Sequence, residues 1–269
     1  YEGEGDKKKE IKEPKTEQIN AASALWKRPK SELTDNDYNE FYKSISHDMD
    51  EPLFRIHTHA EGKLDYTTLF FVPKHAPFDL FRADYQAGIK LYVKRVFITD
   101  DDKELMPVYL RFVRGVIDSE DLPLNVSREI LQQNRVLAKI KTSSVKRILD
   151  ELSKLQKNER EKYNEFYKEF GIPVKEGLYQ DMENREKILE LVMYKSTSVE
   201  GYTTLAEYKD RMKPDQDAIY YITGTKEGNL RNSPLLEMYK NRDIEVLVMD
   251  DEIDDIIIAT VPKFKDINL

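Results

Sequence analysis

Arg128 and Gln132 stand four residues apart in the run SEDLPLNVSREILQQNRVLAK, Ser119 to Lys139, where polar side chains crowd a segment that a core element would fill with apolar ones. Leu122, Pro123 and Leu124 read as extended, because a residue before proline is pushed out of the helical region. Ser127 reads as the N-cap of a helix, with Glu129 suited to the positive end of its dipole. Ile130, Leu137, Ile140, Ile148, Leu152 and Leu155 recur at helical spacing as the inward face, and Arg128, Gln132, Arg135 and Lys139 fall on the opposite side. A guanidinium and an amide one turn apart beside a helix start suit a phosphate. A solvated, charged helix face is the competing account of any Arg-x-x-x-Gln pair, and on these residues alone it is favoured.

Other candidate chemistry is weaker. Gly224 to Gly228, GTKEG between a strand and a helix, has the look of a phosphate loop but lacks the Gly-Lys-Ser/Thr ending, so a strand-to-helix turn is preferred. His57 and His59 lie on one face of a strand, as two zinc ligands would, yet no third ligand follows; exposed strand histidines are the preferred reading and no metal is expected. Acidic pairs such as Asp101 with Asp102 are what a heavily charged surface contains anyway.

The elements that must position the Ser119–Lys139 run belong to a chain of 269 residues, long enough for two compact units and a connector. Hydrophobic residues make up 39% and charged ones 35%, and no apolar run approaches the ~20 residues of a membrane span. A net charge of −8 argues against a nucleic-acid partner, and the absence of cysteine removes disulfides and thiolate metal sites. The chain starts at Tyr1 instead of Met, so an excised fragment is expected, and residues 1–17 are polar enough to be a disordered linker.

Thr34 with Asp37 is a capping-box signature for a helix through Ser44. Leu53 to Ala60 and Leu64 to Val72 form a hairpin, Asp79 to Phe81 a short turn of helix, Ile89 to Thr99 a third strand and Arg111 to Ile117 a fourth. The helix from Ser127 loses its apolar rhythm at Lys141 to Ser144, and another helix over Glu159 to Phe170 is stopped by Gly171. Beyond these come a helix from Asn184 through Tyr194, another over Leu205 to Met212, a βαβ unit of strand Ala218 to Thr223, helix Pro234 to Tyr239 and strand Ile244 to Met249, and a closing helix over Ile253 to Val261. The fold class is α/β (α+β): a disordered linker 1–17, a larger α/β sandwich unit 18–141 carrying the loop, a helical connector 142–183 and a smaller α/β unit 184–269.

The run DLPLNVSREILQQN, with YLRFVRGVIDSED ahead of it and LYVKRVFITDD further upstream, closely resembles the middle segment of the ninety-kilodalton heat-shock protein family of molecular chaperones, in its bacterial HtpG form. The likeness continues through NAASALWKRPKSELTDNDYNEFYKSISHD, EGKLDYTTLFFVPKHAPFDLF and KEFGIPVKEGLYQDMENREKILEL, covering nearly everything after about residue 17. It implies that Arg128 reaches the terminal phosphate of ATP held with Mg2+ by a separate N-terminal domain, that Gln132 supports it, and that Asn125, Ser127, Gln133 and Asn134 support the loop. Phe97 corresponds to an apolar patch on which the N-terminal domain docks, although burial is the default for a strand Phe. Met49 stands where eukaryotic relatives have a Trp implicated in client contact. The resemblance further implies a cytoplasmic, stress-responsive, ATP-hydrolysing homodimer whose partners are its own N-terminal ATPase and C-terminal dimerisation domains and client proteins, co-chaperones being left open. The fragment alone is then no enzyme and holds no cofactor. Two rivals are the transducer domain of a DNA-handling ATPase related to gyrase or the mismatch-repair proteins, which rely on a lysine where this chain reads SREILQQ, and a metal-dependent hydrolase built on His57 and His59.

Overall fold

The computed structural model describes residues 24–82, 85, 88–100, 105–124 and 134–269; the expected linker 1–17 lies outside them. Strands β1 (Phe54–Ala60) and β2 (Tyr66–Val72) form the expected antiparallel hairpin, with Phe54 opposite Val72 and Ala60 opposite Tyr66. With β3 (Gly88–Val93), β4 (Val96–Thr99) and β5 (Arg114–Ser119) they build a mixed five-stranded sheet in the order β1-β2-β5-β3-β4, β3 and β5 running parallel. The single strand expected over 89–99 is in fact a hairpin, turned at Lys94 and Arg95 with φ of 49° and 69°. A two-residue turn with positive φ matches the twist of the flanking strands, but it is normally announced by Asn-Gly, and two basic residues hide it.

Strand β2 is buried on both faces, so it cannot alternate polar with apolar. Leu69 and Phe71 join Trp26, Tyr38, Tyr42 and Val116 in a small layer beneath α1 (Asp35–Ser46), which starts at the Thr34/Asp37 capping box. Phe70 and Val72 point into the main core on the other side. Near the start of β5, Gly115 has φ +142°, and a Cβ there would lie 2.0 Å from the Leu69 carbonyl oxygen. Only glycine fits this approach of two central strands.

The main core is roofed by α2 (Arg135–Asn158) and α3 (Arg160–Gln180). Helix α2 passes without a break through 141–144, where the apolar rhythm suggests an interruption, because Ser144 and Val145 face inward and restore the buried stripe. Gly171 does not stop α3, which continues past it and past Pro173. Its small size serves packing instead: a Cβ would come within 2.9 Å of the Tyr167 ring. Phe170, Val174 and Leu178 extend the buried face across the proline, and that burial outweighs the hydrogen bond proline cannot donate.

Tyr163 and Tyr167 donate to the carbonyls of Leu191 and Met193, at 2.6 and 2.9 Å, and fasten α3 to the start of a second sheet. Helix α4 (Arg185–Leu191) ends there, so Met193–Ser196 is strand β6 and not, as expected, the end of a helix reaching Tyr194. Next follow β7 (Thr203–Thr204), α5 (Leu205–Arg211), β8 (Tyr221–Thr223), α6 (Glu227–Arg231), α7 (Glu237–Asn241) and β9 (Leu247–Met249), in a sheet ordered β7-β6-β9-β8. The pair β8 and β9 is parallel, as the βαβ reading requires. Helix α8 (Asp254–Thr260) and a small hairpin, β10 (Lys263–Phe264) with β11 (Ile267–Asn268), close the described chain. One set of contacting buried side chains runs from Phe70 and Ile117 through Ile148 and Phe166 to Met193 and Leu247. Among the described residues no helix is long and apolar enough to cross a membrane.

Candidate functional site

The run that carries the candidate chemistry leaves the sheet at the end of β5, where Leu122 is buried and Leu124 exposed. Asn125, Ser127, Arg128, Gln132 and Gln133 lie outside the described residues. On the far side Asn134 caps the helix that starts at Arg135. Its Oδ1 accepts from the amides of Val136 and Leu137 at 2.8 and 3.2 Å, and its φ of −80° and ψ of 115° are extended. Asn134 is therefore not helical, and Arg135 and Lys139 lie on a helix that begins at Arg135; the face expected for Arg128 and Gln132 lies outside the described residues. Asparagine is among the best N-caps, because its short carbonyl reaches the free amides of the first turn. Arg135 and Lys139 are exposed, and Leu137, Ile140, Ile148, Leu152 and Leu155 are buried as expected.

Beside this stem the β3–β4 turn is pinned to the end of β5. The Lys94 amide donates to the Ser119 carbonyl at 3.0 Å, and the Arg95 amide to Oδ1 of Asp118 at 3.2 Å. The other carboxylate oxygen of Asp118, a fully buried residue, accepts from the Trp26 indole at 2.8 Å. Lys27 pairs with Glu120 at 2.8 Å and stands 3.8 Å from Asp118. Its hydrogen bond, against the opposing effect of partial burial, holds the Glu120 carboxyl below the usual glutamate range. Burial, reinforced by the Asp118 charge, pushes the Tyr92 hydroxyl up.

Phe97, which a strand pattern would bury by default, is 50% exposed on the edge strand β4, with Val96 exposed beside it. Its ring stands edge-on to Tyr92 at 5.7 Å, and Tyr92 in turn packs on Trp26 at 4.6 Å. Met49 is 87% exposed in the loop after α1, where neighbouring Asp48 accepts from the Tyr42 hydroxyl at 2.6 Å. The fold also creates an apolar surface that periodicity alone does not reveal. Phe81, Val108 and Tyr179 line a hollow of about 330 Å³ walled by the Arg111–Glu176 ion pair, and Phe78 nearby is 95% exposed. Its one trace in the sequence is the spacing in PFDLF: a turn at 78–81 buries Leu80 alone and leaves both phenylalanines outside.

The histidines are committed elsewhere. His57 is half-buried, not exposed; its Nδ1 is 2.8 Å from the Tyr38 hydroxyl and its Nε2 2.9 Å from the Trp26 carbonyl, so the latter nitrogen carries the proton. Burial holds its pKa below the usual histidine value. His59 is taken up by Thr67 and Glu61. Among the described residues no group of three or more His, Cys, Asp or Glu is placed to hold a metal ion. The turn at Gly224 packs against Leu230, and the carboxylate that follows it, Glu227, is paired with Lys195 and Arg231 at 2.9 and 2.7 Å.

A family model described as Hsp90 protein matches residues 2–269. The chaperone protein HtpG of Treponema denticola is 62% identical over 270 residues, covering 99% of this chain and 42% of that protein. HtpG of Helicobacter hepaticus is 59% identical over 269 residues, covering 100% of this chain and 43% of its own. The chain thus spans about two-fifths of the length of the curated relatives it matches. Among solved structures, the middle domain of a Plasmodium falciparum heat shock protein superposes with a TM-score of 0.80 at 33% identity, over 91% of this chain and 97% of that one.

Proposed function

The chain belongs to the Hsp90 family and corresponds to its middle domain, and from that premise we propose that it lends an arginine to ATP hydrolysis by a separate N-terminal domain and contacts client proteins. In this reading Arg128 meets the charge that develops on the terminal phosphate, as arginine fingers do, and Gln132 orients it or the attacking water. ATP and Mg2+ are held by the N-terminal domain and supply the phosphoryl chemistry. Asn125, Ser127, Gln133 and Asn134 shape the loop, Phe97 receives the N-terminal domain, and Met49 offers an adaptable apolar contact to clients. The full-length protein is then a cytoplasmic homodimeric ATPase with a C-terminal dimerisation domain, and 18–141, 142–183 and 184–269 serve as loop-bearing unit, connector and smaller unit.

The observation that carries this reading is the half-exposed Phe97 on an edge strand whose turn is hydrogen-bonded to the stem of the Arg128 loop. An apolar ring left in water beside the stem that leads to Arg128 fits a surface that a nucleotide-bearing partner covers. Mixing the N-terminal domain with this segment under single-turnover conditions tests it. Hydrolysis should accelerate with wild-type segment and not with the Arg128→Ala segment; equal acceleration by both would remove Arg128 from the reaction.

A further inference from the structure

Strand β5 alternates, so Val116 and Asp118 project to the face that carries Trp26. A fully buried carboxylate there is costly unless each oxygen finds a donor and its charge a counterion. Asp118 meets those conditions with groups from two other parts of the chain: the indole of Trp26 from the segment before α1, and the backbone amide of Arg95 from the β3–β4 turn, with Lys27 3.8 Å away. The next residue, Ser119, repeats the tie by accepting from Lys94, and its hydroxyl accepts from the Asp121 amide at 3.2 Å. Asp121 in turn accepts from the Asp65 amide at 2.6 Å, and the Glu120 amide donates to the Asp65 carbonyl at 3.0 Å. The turn bearing Val96 and Phe97 and the stem running to Leu124 are thus held by adjacent residues.

We propose that Asp118 is a positioning residue for ATP hydrolysis: it locks the β3–β4 turn to the stem of the Arg128 loop, so that a domain docking on Phe97 sets where that loop stands. The proposal rests on the docking reading of Phe97. The choice of residue is specific. Asparagine at 118 has one oxygen for two donors, and its amide would face an N–H, so one of the two ties is lost while the side-chain volume is kept.

A double-mutant cycle in the full-length protein tests this, with turnover and KM for ATP as readouts. Asp118→Asn should lower kcat by roughly 2- to 30-fold, the range of couplings carried through such networks, and leave KM unchanged. Combined with Phe97→Ala it should be no slower than the slower single variant, because both break one device. A double variant that loses the product of the two single losses overturns the proposal, as does a wild-type kcat for Asp118→Asn. If Asp118→Asn does not fold, Trp26→Phe takes its place and the same outcomes support or overturn the proposal, since it removes one donor to the carboxylate and keeps a ring beside Tyr92.

Amide hydrogen exchange on the full-length protein supplies an arm that needs no docking. Asp118→Asn should speed exchange at Lys94–Arg95 and at Glu120–Asp121 together, and acceleration at only one of the two overturns the tie. Should Phe97→Ala alone turn over at the wild-type rate, the docking reading fails and the exchange arm decides the role of Asp118 by itself.

Discussion

Phe97→Ala separates a docking ring from a core ring, and its cost can be worked out beforehand. Truncating a fully buried Phe destabilises by about 3–5 kcal/mol. Phe97 is 50% exposed, on an edge strand, with its ring edge-on to Tyr92, so roughly 1–2 kcal/mol is expected. For a chain of this size about 2–4 °C of melting temperature accompanies each kcal/mol, giving a fall of roughly 2–8 °C. The buried neighbour Phe71 is the internal control: Phe71→Ala should cost about 3–5 kcal/mol and roughly 6–20 °C. Calorimetry on the segment reads the stability, and steady-state ATP turnover of the full-length protein reads the function. Phe97→Ala should lose no more than that and hydrolyse ATP markedly more slowly. A melting temperature as low as that of Phe71→Ala would make Phe97 a core residue, and wild-type turnover would remove it from the docking surface.

Two further outcomes follow from buried and paired charges. Lys175, on α3, is buried and bonds Asp251 and Asp254 at 2.8 and 2.7 Å. Burial opposes its charge, but Tyr194, Asp254 and Asp251 outweigh that and hold its pKa above the usual lysine value. Lys175→Ala should therefore cost about 3–5 kcal/mol in denaturant unfolding by leaving the buried Asp254 unpaired, and a loss under about 1 kcal/mol would show that the site relaxes or hydrates instead. For Glu120, lowered from its ordinary 4.5, the contribution to stability is present above about pH 4.5 and is lost as pH falls through the depressed folded value. An NMR titration should place its carboxyl below 4.5 and return it towards 4.5 in Lys27→Ala; an unchanged titration would mean that Lys27 is not the cause.

Much of this architecture is legible in the amino-acid order because local chemistry and tertiary demand agree. The Thr34/Asp37 capping box, the hairpin over residues 54–72 and the parallel pair around α6 and α7 all stand where patterning puts them. Patterning fails where a residue does an unusual job. Lys94 and Arg95 make a left-handed turn that is held from outside, by Asp118 and Ser119. Gly171 and Pro173 sit inside a helix because close packing of Gly171 on Tyr167 and burial of the face carrying Phe170, Val174 and Leu178 override their usual meaning. Asn134 caps the helix at Arg135, a start that the apolar stripe read as continuous across it hides. Asp118 leaves no trace in composition or spacing, since its partners come from Trp26 and from a backbone amide far along the chain. Arg128 and Gln132 rest on motif resemblance, and Phe97 gains from the structure the exposure that its strand context argued against.

The central claim is the role of Arg128, and the direct measurement compares turnover with ATP affinity in the full-length protein carrying Arg128→Ala. Arginine fingers are worth about 10³–10⁵ in rate, and a loss at or below the lower end is expected here. ATP affinity should stay at the wild-type level if, as proposed, ground-state binding belongs to the other domain. Arg128→Lys should recover only part of the rate, because an ammonium cannot reproduce the planar fork, and Gln132→Ala should act in the same direction more weakly. Turnover of Arg128→Ala at the wild-type rate, or a loss explained wholly by weaker ATP binding, would contradict the assignment.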